Sequence, residues 1–172
     1  MKEIEFNAIA AMCNQNRGIG KDNKLPWSLP NEFKYFERVV TTTRDKSKVN
    51  ALITGRLSWN SMNMKPLDPK NLYFIVSTKF TPSQLKIELN DSEHERIILC
   101  KSIEQALEQI KMNFSNKVET IYAIGGVEIY RSALQSPIFN RFYLTRILEN
   151  FDCDVFLQPE NFLENFIKQE SK

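Results

Sequence analysis

Histidine is almost absent from this chain: among 172 residues there is only His94. That scarcity excludes zinc sites built on two histidines, and any Ser-His-Asp triad would rest on His94 alone. His94 lies in the polar run Asn90-Asp91-Ser92-Glu93-His94-Glu95-Arg96, the setting of a solvated loop histidine rather than a catalytic one. Cysteine is scarce as well. Cys13, Cys100 and Cys153 form no close pair, which argues against a disulfide scaffold and fits a reducing compartment. None has a basic neighbour pattern that would activate it as a nucleophile. An excess of one charge is also missing: 23 basic against 21 acidic residues give +2, too near balance for an electrostatic nucleic-acid footprint. No apolar run approaches the roughly 20 residues of a membrane span. The opening Met1-Lys2-Glu3-Ile4-Glu5 has no signal-peptide core, so a cytoplasmic protein is expected. The length suits one domain with one substantial core.

What the chain does have is short apolar strands alternating with helical patterns. Ile4 to Met12 is a nearly continuous apolar run, as expected of a strand covered on both faces. Val49 to Thr54, Tyr73 to Ser77, Ile97 to Cys100, Thr120 to Ile124 and Phe142 to Leu148 read the same way. Ser102 with Gln105 has the form of a capping box, followed by the stripe Ile103, Ala106, Leu107 and Ile110. A second short helix is expected over Val127 to Leu134. The pattern predicts an α/β three-layer sandwich, a mostly parallel central sheet flanked by helices. In such sheets ligands bind beyond the carboxyl ends of the strands. The residues after Met12, Thr54, Ser77, Cys100 and Ile124 are therefore the places to look for chemistry.

A helix is expected to begin near Pro30, capped by Ser28. At about 100° per residue, Phe33, Phe36, Val39 and Val40 gather on one face, and Glu32 falls in its middle. Lys34, Glu37 and Arg38 take the opposite side. A carboxylate on a buried stripe must be paired, hydrogen-bonded or neutralised. It is either a structural ion pair or a functional acid.

Two glycine sites follow strands: Gly55-Arg56-Leu57-Ser58 and Gly125-Gly126. Glycine at a strand-to-helix turn lets a phosphate approach backbone N–H groups, and Arg56 and Ser58 would add a guanidinium and a hydroxyl. Simple turn chemistry explains either site alone. Two of them in one sheet favour a long phosphate-bearing ligand such as a dinucleotide. The G-x-G-x-x-G fingerprint is not met, because Gly18-Ile19-Gly20 continues to Asn23.

Four blocks in order resemble the dihydrofolate reductase family, over a match running from about Phe6 to Asp154. The first is Gly18-Ile19-Gly20, Leu25-Pro26-Trp27 and Asn31-Glu32-Phe33-Lys34-Tyr35-Phe36. The second is Ile53-Thr54-Gly55-Arg56 with Ser58-Trp59. The third is Ile124-Gly125-Gly126 with Tyr130, and the fourth is Tyr143-Leu144-Thr145 with Asp154. The resemblance implies hydride transfer from NADPH to C6 of 7,8-dihydrofolate with protonation at N5, in support of one-carbon metabolism and thymidylate synthesis. The alternatives are a catalytically impaired folate- or NADPH-binding relative, or another pterin or pyrimidine reductase on the same fold.

By that resemblance Glu32 would hydrogen-bond the pterin, with Thr145 orienting its carboxylate. Trp27 would hold an ordered water, and Leu25 would lie in the Arg17 to Leu25 loop that closes over the nicotinamide. Ile9 and Ile124 would offer backbone carbonyls. Phe33, Phe36 and Met62 would sandwich the substrate, and Lys70 would take the folate carboxylate in place of the family's arginine. Ala11, Ile19, Gly20, Gly55, Arg56, Ser58, Ser77, Thr78, Lys101, Gly125 and Gly126 would surround the cofactor, with Tyr130 near its ring. No metal is implied. The expected partners are dihydrofolate and antifolates, without nucleic acid or membrane, and the expected state is a monomer.

Two further expectations follow. Val127 and Glu128 stand where the family has a small residue, placing a branched side chain and a carboxylate beside the cofactor's phosphates. The single domain over residues 1–172 also looks truncated at its C-terminus, with an incomplete antiparallel hairpin. The strand near Tyr143 to Leu148 is then expected to have an exposed or differently covered edge.

Overall fold

The computed structural model describes residues 3–61, 68–79, 81, 83 and 95–169. Met62 and His94 lie outside the described residues. The apolar runs become the strands β1 (Glu5–Cys13), β3 (Val49–Gly55), β4 (Leu72–Val76), β5 (Ile97–Cys100), β6 (Val118–Ala123) and β7 (Phe139–Ile147). They form one sheet in the order β5-β4-β3-β6-β1-β7. Every pairing in it is parallel. A small second sheet pairs β2 (Gly18–Gly20) antiparallel with β8 (Val155–Phe156).

Both faces of the large sheet are covered, which is why its central strands read as continuous apolar runs. On one face β1 contributes Phe6, Ala8, Ala10 and Met12, packed with Ile103, Ala106 and Ile110 of α3 (Ile103–Asn113) and Ile129, Tyr130 and Ala133 of α4 (Val127–Gln135). On the other, Ile9, Leu52, Tyr73, Ile75 and Tyr122 pack with Val40 of α1 (Pro30–Thr41) and Trp59 of α2 (Arg56–Ser61). Helices on both faces make the three layers. No helix among the described residues is long and apolar enough to cross a membrane.

Helix starts depart from expectation in instructive ways. Ser102 caps α3, its side chain accepting the Gln105 N–H at 3.2 Å. The reciprocal bond of a capping box is displaced by one residue: the Gln105 side chain accepts the N–H of Lys101 at 2.6 Å. Ser28 does not cap α1. Leu29 occupies that position, its carbonyl taking the Phe33 N–H at 3.0 Å, with no side-chain cap. Pro30 opens the helix instead, a residue with no N–H to satisfy and φ already near the helical value.

The edge strand β7 begins earlier than its apolar run and is only partly buried. It pairs with β1 and, among the described residues, with no strand on its other side. One of its faces is covered by rings: Phe139 meets Phe166 and Phe142 meets Phe162, around a 3₁₀ turn at Phe162–Asn165. Among the described residues nothing forms a ladder on its outer hydrogen-bonding edge.

Candidate active site

The sheet order places the carboxyl ends of β3, β6 and β1 side by side, and a cavity of about 570 Å³ opens there. Ile9 and Ala11 reach it from β1, Thr54 and Gly55 from β3, and Ile124 to Gly126 from the turn after β6. That size lies within the range of sites for drug-sized ligands. The rim is apolar and open: Leu25, Phe33 and Leu57 line it while remaining 57%, 42% and 54% exposed. Large apolar side chains left in water around a concave site are a surface prepared for a ligand.

The two glycine turns are joined. The N–H of Gly55 donates to the Gly125 carbonyl at 2.7 Å, and Thr54 Oγ1 donates to the same oxygen at 3.1 Å. Gly125 has φ +118°, and a Cβ there would lie 3.2 Å from the Tyr130 hydroxyl and 3.4 Å from Ser58 Oγ. Only glycine takes that backbone shape without strain. The turn thus keeps backbone close to the cavity, beside the start of α4, which has no side-chain cap.

Glu32 sits in the first turn of α1 and lines the cavity. It has no hydrogen-bond or ion-pair partner among the described residues, and burial raises its carboxyl pKa above the ordinary value. Among the described residues Glu32 has no structural ion pair of the kind considered from the sequence. Tyr130 is buried across the cavity and its hydroxyl donates to the Ile9 carbonyl at 2.9 Å. Burial, and secondarily the Glu32 charge, push its phenol up. Arg56 and Lys24 also line the cavity, and neither has a carboxylate partner among the described residues. An acid on the α1 side and unpaired cations elsewhere make the cleft chemically two-sided.

Fifteen of the residues named from the sequence meet at this cavity: Ile9, Ala11, Ile19, Gly20, Leu25, Glu32, Phe33, Phe36, Gly55, Arg56, Ser58, Ile124, Gly125, Gly126 and Tyr130. Others are off its lining. Trp27 is buried with Cys13 and Ile147, its ring 5.7 Å from Phe151. Thr145 pairs with cavity-lining Ala11 across β1 and β7 but makes no hydrogen bond to Glu32. The Lys70 carbonyl accepts from Arg96 Nη1 at 2.8 Å. Ser77 and Thr78 follow β4, and the Lys101 N–H is held by Gln105. Asn23 and Lys24 come to the cavity with the expected Arg17 to Leu25 loop, whereas the sequence reading missed Ser61, Val76 and Val155, which also line it. Val155 arrives through the pairing of β8 with β2, which no local periodicity reveals.

The Arg17 to Leu25 loop is fastened to the segment after β7. Leu157 N–H donates to the Arg17 carbonyl at 3.0 Å, and Asp154 N–H to the Gly20 carbonyl at 2.9 Å. Arg17 and Lys21 form ion pairs with Glu160 and Asp152. Of the cysteines, Cys13 and Cys100 are buried. Burial, with the neighbouring Cys13, pushes Cys153 up to about 11, which leaves it a thiol at neutral pH.

A parallel sheet with helices on both faces and a cleft across the ends of its central strands marks an α/β fold of the switch-point type, the place where such sheets bind ligands. Comparison with known proteins narrows this. A sequence profile of the family described as "Dihydrofolate reductase" matches residues 5–172. The dihydrofolate reductase of Drosophila melanogaster is 35% identical over 165 residues, 94% of this chain and 84% of that protein. That of Gallus gallus is 37% identical over 157 residues, 90% of this chain and 78% of that one. A solved dihydrofolate reductase from Schistosoma mansoni has a TM-score of 0.79, covering 99% of this chain and 88% of its own at 24% identity, and speaks to the fold. The chain belongs to the dihydrofolate reductase family, oxidoreductases acting on dihydrofolate.

Proposed function

We propose that the protein reduces 7,8-dihydrofolate to 5,6,7,8-tetrahydrofolate with NADPH. The observation that carries this is Glu32: an unpaired carboxylate held in an apolar cavity beside Phe33 and Phe36. Such a group recognises a flat heterocycle that presents adjacent N–H donors and gains positive charge during reaction. Phe33 and Phe36, with ring centroids 6.1 Å apart, offer the apolar surface for its body. A negative charge in a low-dielectric cleft favours the N5-protonated ring, which makes C6 electrophilic. Glu32 acts through its charge, and the N5 proton comes from water.

The residues present fit the cofactor. The joined glycine turns bring backbone close to the cavity where a Cβ at Gly125 would crowd Ser58 and Tyr130. Arg56 is a guanidinium suited to fork onto a 2′-phosphate, which favours NADPH over NADH. Gly20, Ser58, Gly126 and Tyr130 complete the lining that would hold it. NADPH, when bound, supplies the hydride. Leu25 and Ile19 line the cavity from the loop fastened to the segment after β7, and closing that loop would exclude bulk water from the reacting carbons.

The test is NADPH oxidation by the purified chain with and without dihydrofolate, and with an antifolate. Oxidation that requires dihydrofolate and is lost in Glu32→Ala is expected. Unchanged turnover in Glu32→Ala overturns the role of the acid. Antifolate binding without turnover makes the chain a binding relative instead.

A further inference from the structure

Among the described residues four charged side chains line the cavity: Lys24, Glu32, Arg56 and Glu128. Glu128 is the misplaced one for the function proposed above, on which this inference rests. It is the second residue of α4, two positions beyond Gly126, and the only acid in that helix's first turn. A bare carboxylate there repels the phosphates that the glycine turns and Arg56 would receive. Among the described residues no backbone N–H donates to the Glu128 carboxylate. Its carboxylate is instead taken by the guanidinium of Arg131, one helical turn along and itself outside the cavity lining.

We infer that Arg131 is a positioning residue for the cofactor: it draws the Glu128 carboxylate along α4, away from Gly125-Gly126, and cancels its charge at the mouth of the cavity. The pair lies at the surface, where an ion pair adds little to folding stability. Its effect on a multiply charged ligand nearby is larger, because the uncompensated charge acts on each phosphate at short range. Releasing the Glu128 charge should weaken NADPH binding about three- to tenfold at low salt and less at high salt, where the field is screened.

The experiment is titration of the full chain with NADPH, followed by quenching of its tryptophan fluorescence, with methotrexate titration as a control for the substrate side. Arg131→Ala is expected to raise the NADPH Kd about three- to tenfold, to leave the methotrexate Kd within about twofold, and to lose its effect in added salt. Arg131→Lys should bind NADPH nearly as the unaltered chain does. The double variant Glu128→Gln/Arg131→Ala should regain the unaltered affinity, because no charge is left to compensate. Arg131→Ala with unchanged NADPH affinity overturns the inference. So does a double variant as weak as the single one, since Arg131 then acts otherwise than through Glu128. An unaltered chain that binds methotrexate but not NADPH overturns the cofactor reading itself, and this inference with it.

Discussion

The carboxylate of Asp154 accepts the backbone N–H of Asp22 at 3.0 Å, joining residues 132 positions apart. Asp22 and its neighbour Asn23 have φ of 50° and 60°, the left-handed pair of a tight turn closed by reciprocal backbone hydrogen bonds between Lys21 and Lys24 at 2.9 Å. Asp154 ties this turn to the segment after β7, since its own N–H also binds the Gly20 carbonyl. Asp154→Ala removes the side-chain acceptor and keeps the backbone bond. We expect amide exchange at Ile19 to Lys24 to speed up and the single-turnover reduction rate to fall about tenfold, the scale of one charge-assisted hydrogen bond. Unchanged exchange in this loop would show that the latch lies elsewhere.

Glu32 sets a pH dependence whose sign is fixed by its surroundings. Burial holds its folded-state carboxyl above the ordinary value. The native state therefore binds this proton more readily than the unfolded chain, so the contribution to stability is full below the unfolded value and lost as pH rises through the folded one. Glu32→Gln should melt at a higher temperature than the unaltered chain at pH 8, with the difference vanishing toward pH 4, while reductase activity is lost. A Gln variant that melts lower at pH 8 would mean that the carboxylate is structurally paired.

Much of this was legible in the sequence because each signal was local. Glu32 stood out as the one acid among Phe33, Phe36, Val39 and Val40, and the glycine turns stood out because both follow apolar strands. Phe33 departs from that face reading: it remains at the open rim, because a helix stripe also serves a cavity. Signals that depend on folding back were not legible. Val155 reaches the cavity only through β8, whereas the Glu128–Arg131 pair is an i,i+3 spacing that the sequence did carry. Ser28 failed as a cap because Leu29 and Pro30 already complete the helix start.

Gly18 is required for space. A Cβ on it would lie 2.3 Å from Cys153 Sγ, 2.4 Å from Cys153 Cβ and 2.9 Å from Asn16 Oδ1. Gly18→Ala should cost about 1–3 kcal/mol in urea unfolding, the usual range for overpacking. Cys153→Gly takes away both colliding cysteine atoms, so the double variant should recover most of that loss. Additive costs in the double-mutant cycle would place the strain at Asn16 rather than at the cysteine.

Among the described residues β7 pairs with no strand on its outer edge, and this otherwise partly apolar strand carries two exposed arginines. Arg141 and Arg146 stand exposed along it, and charged side chains on an unpaired edge discourage pairing with another chain. Leu148, just past the strand, is 79% exposed, so the segment would be a ready template without them. Replacing both arginines by valine raises β-propensity and removes the charge while leaving the cavity lining untouched. We expect static light scattering at 37 °C to show concentration-dependent growth in this variant, and the Arg→Lys pair to stay dispersed. A valine variant as monodisperse as the unaltered chain would mean that the edge is protected by its backbone shape or by covering side chains, not by charge.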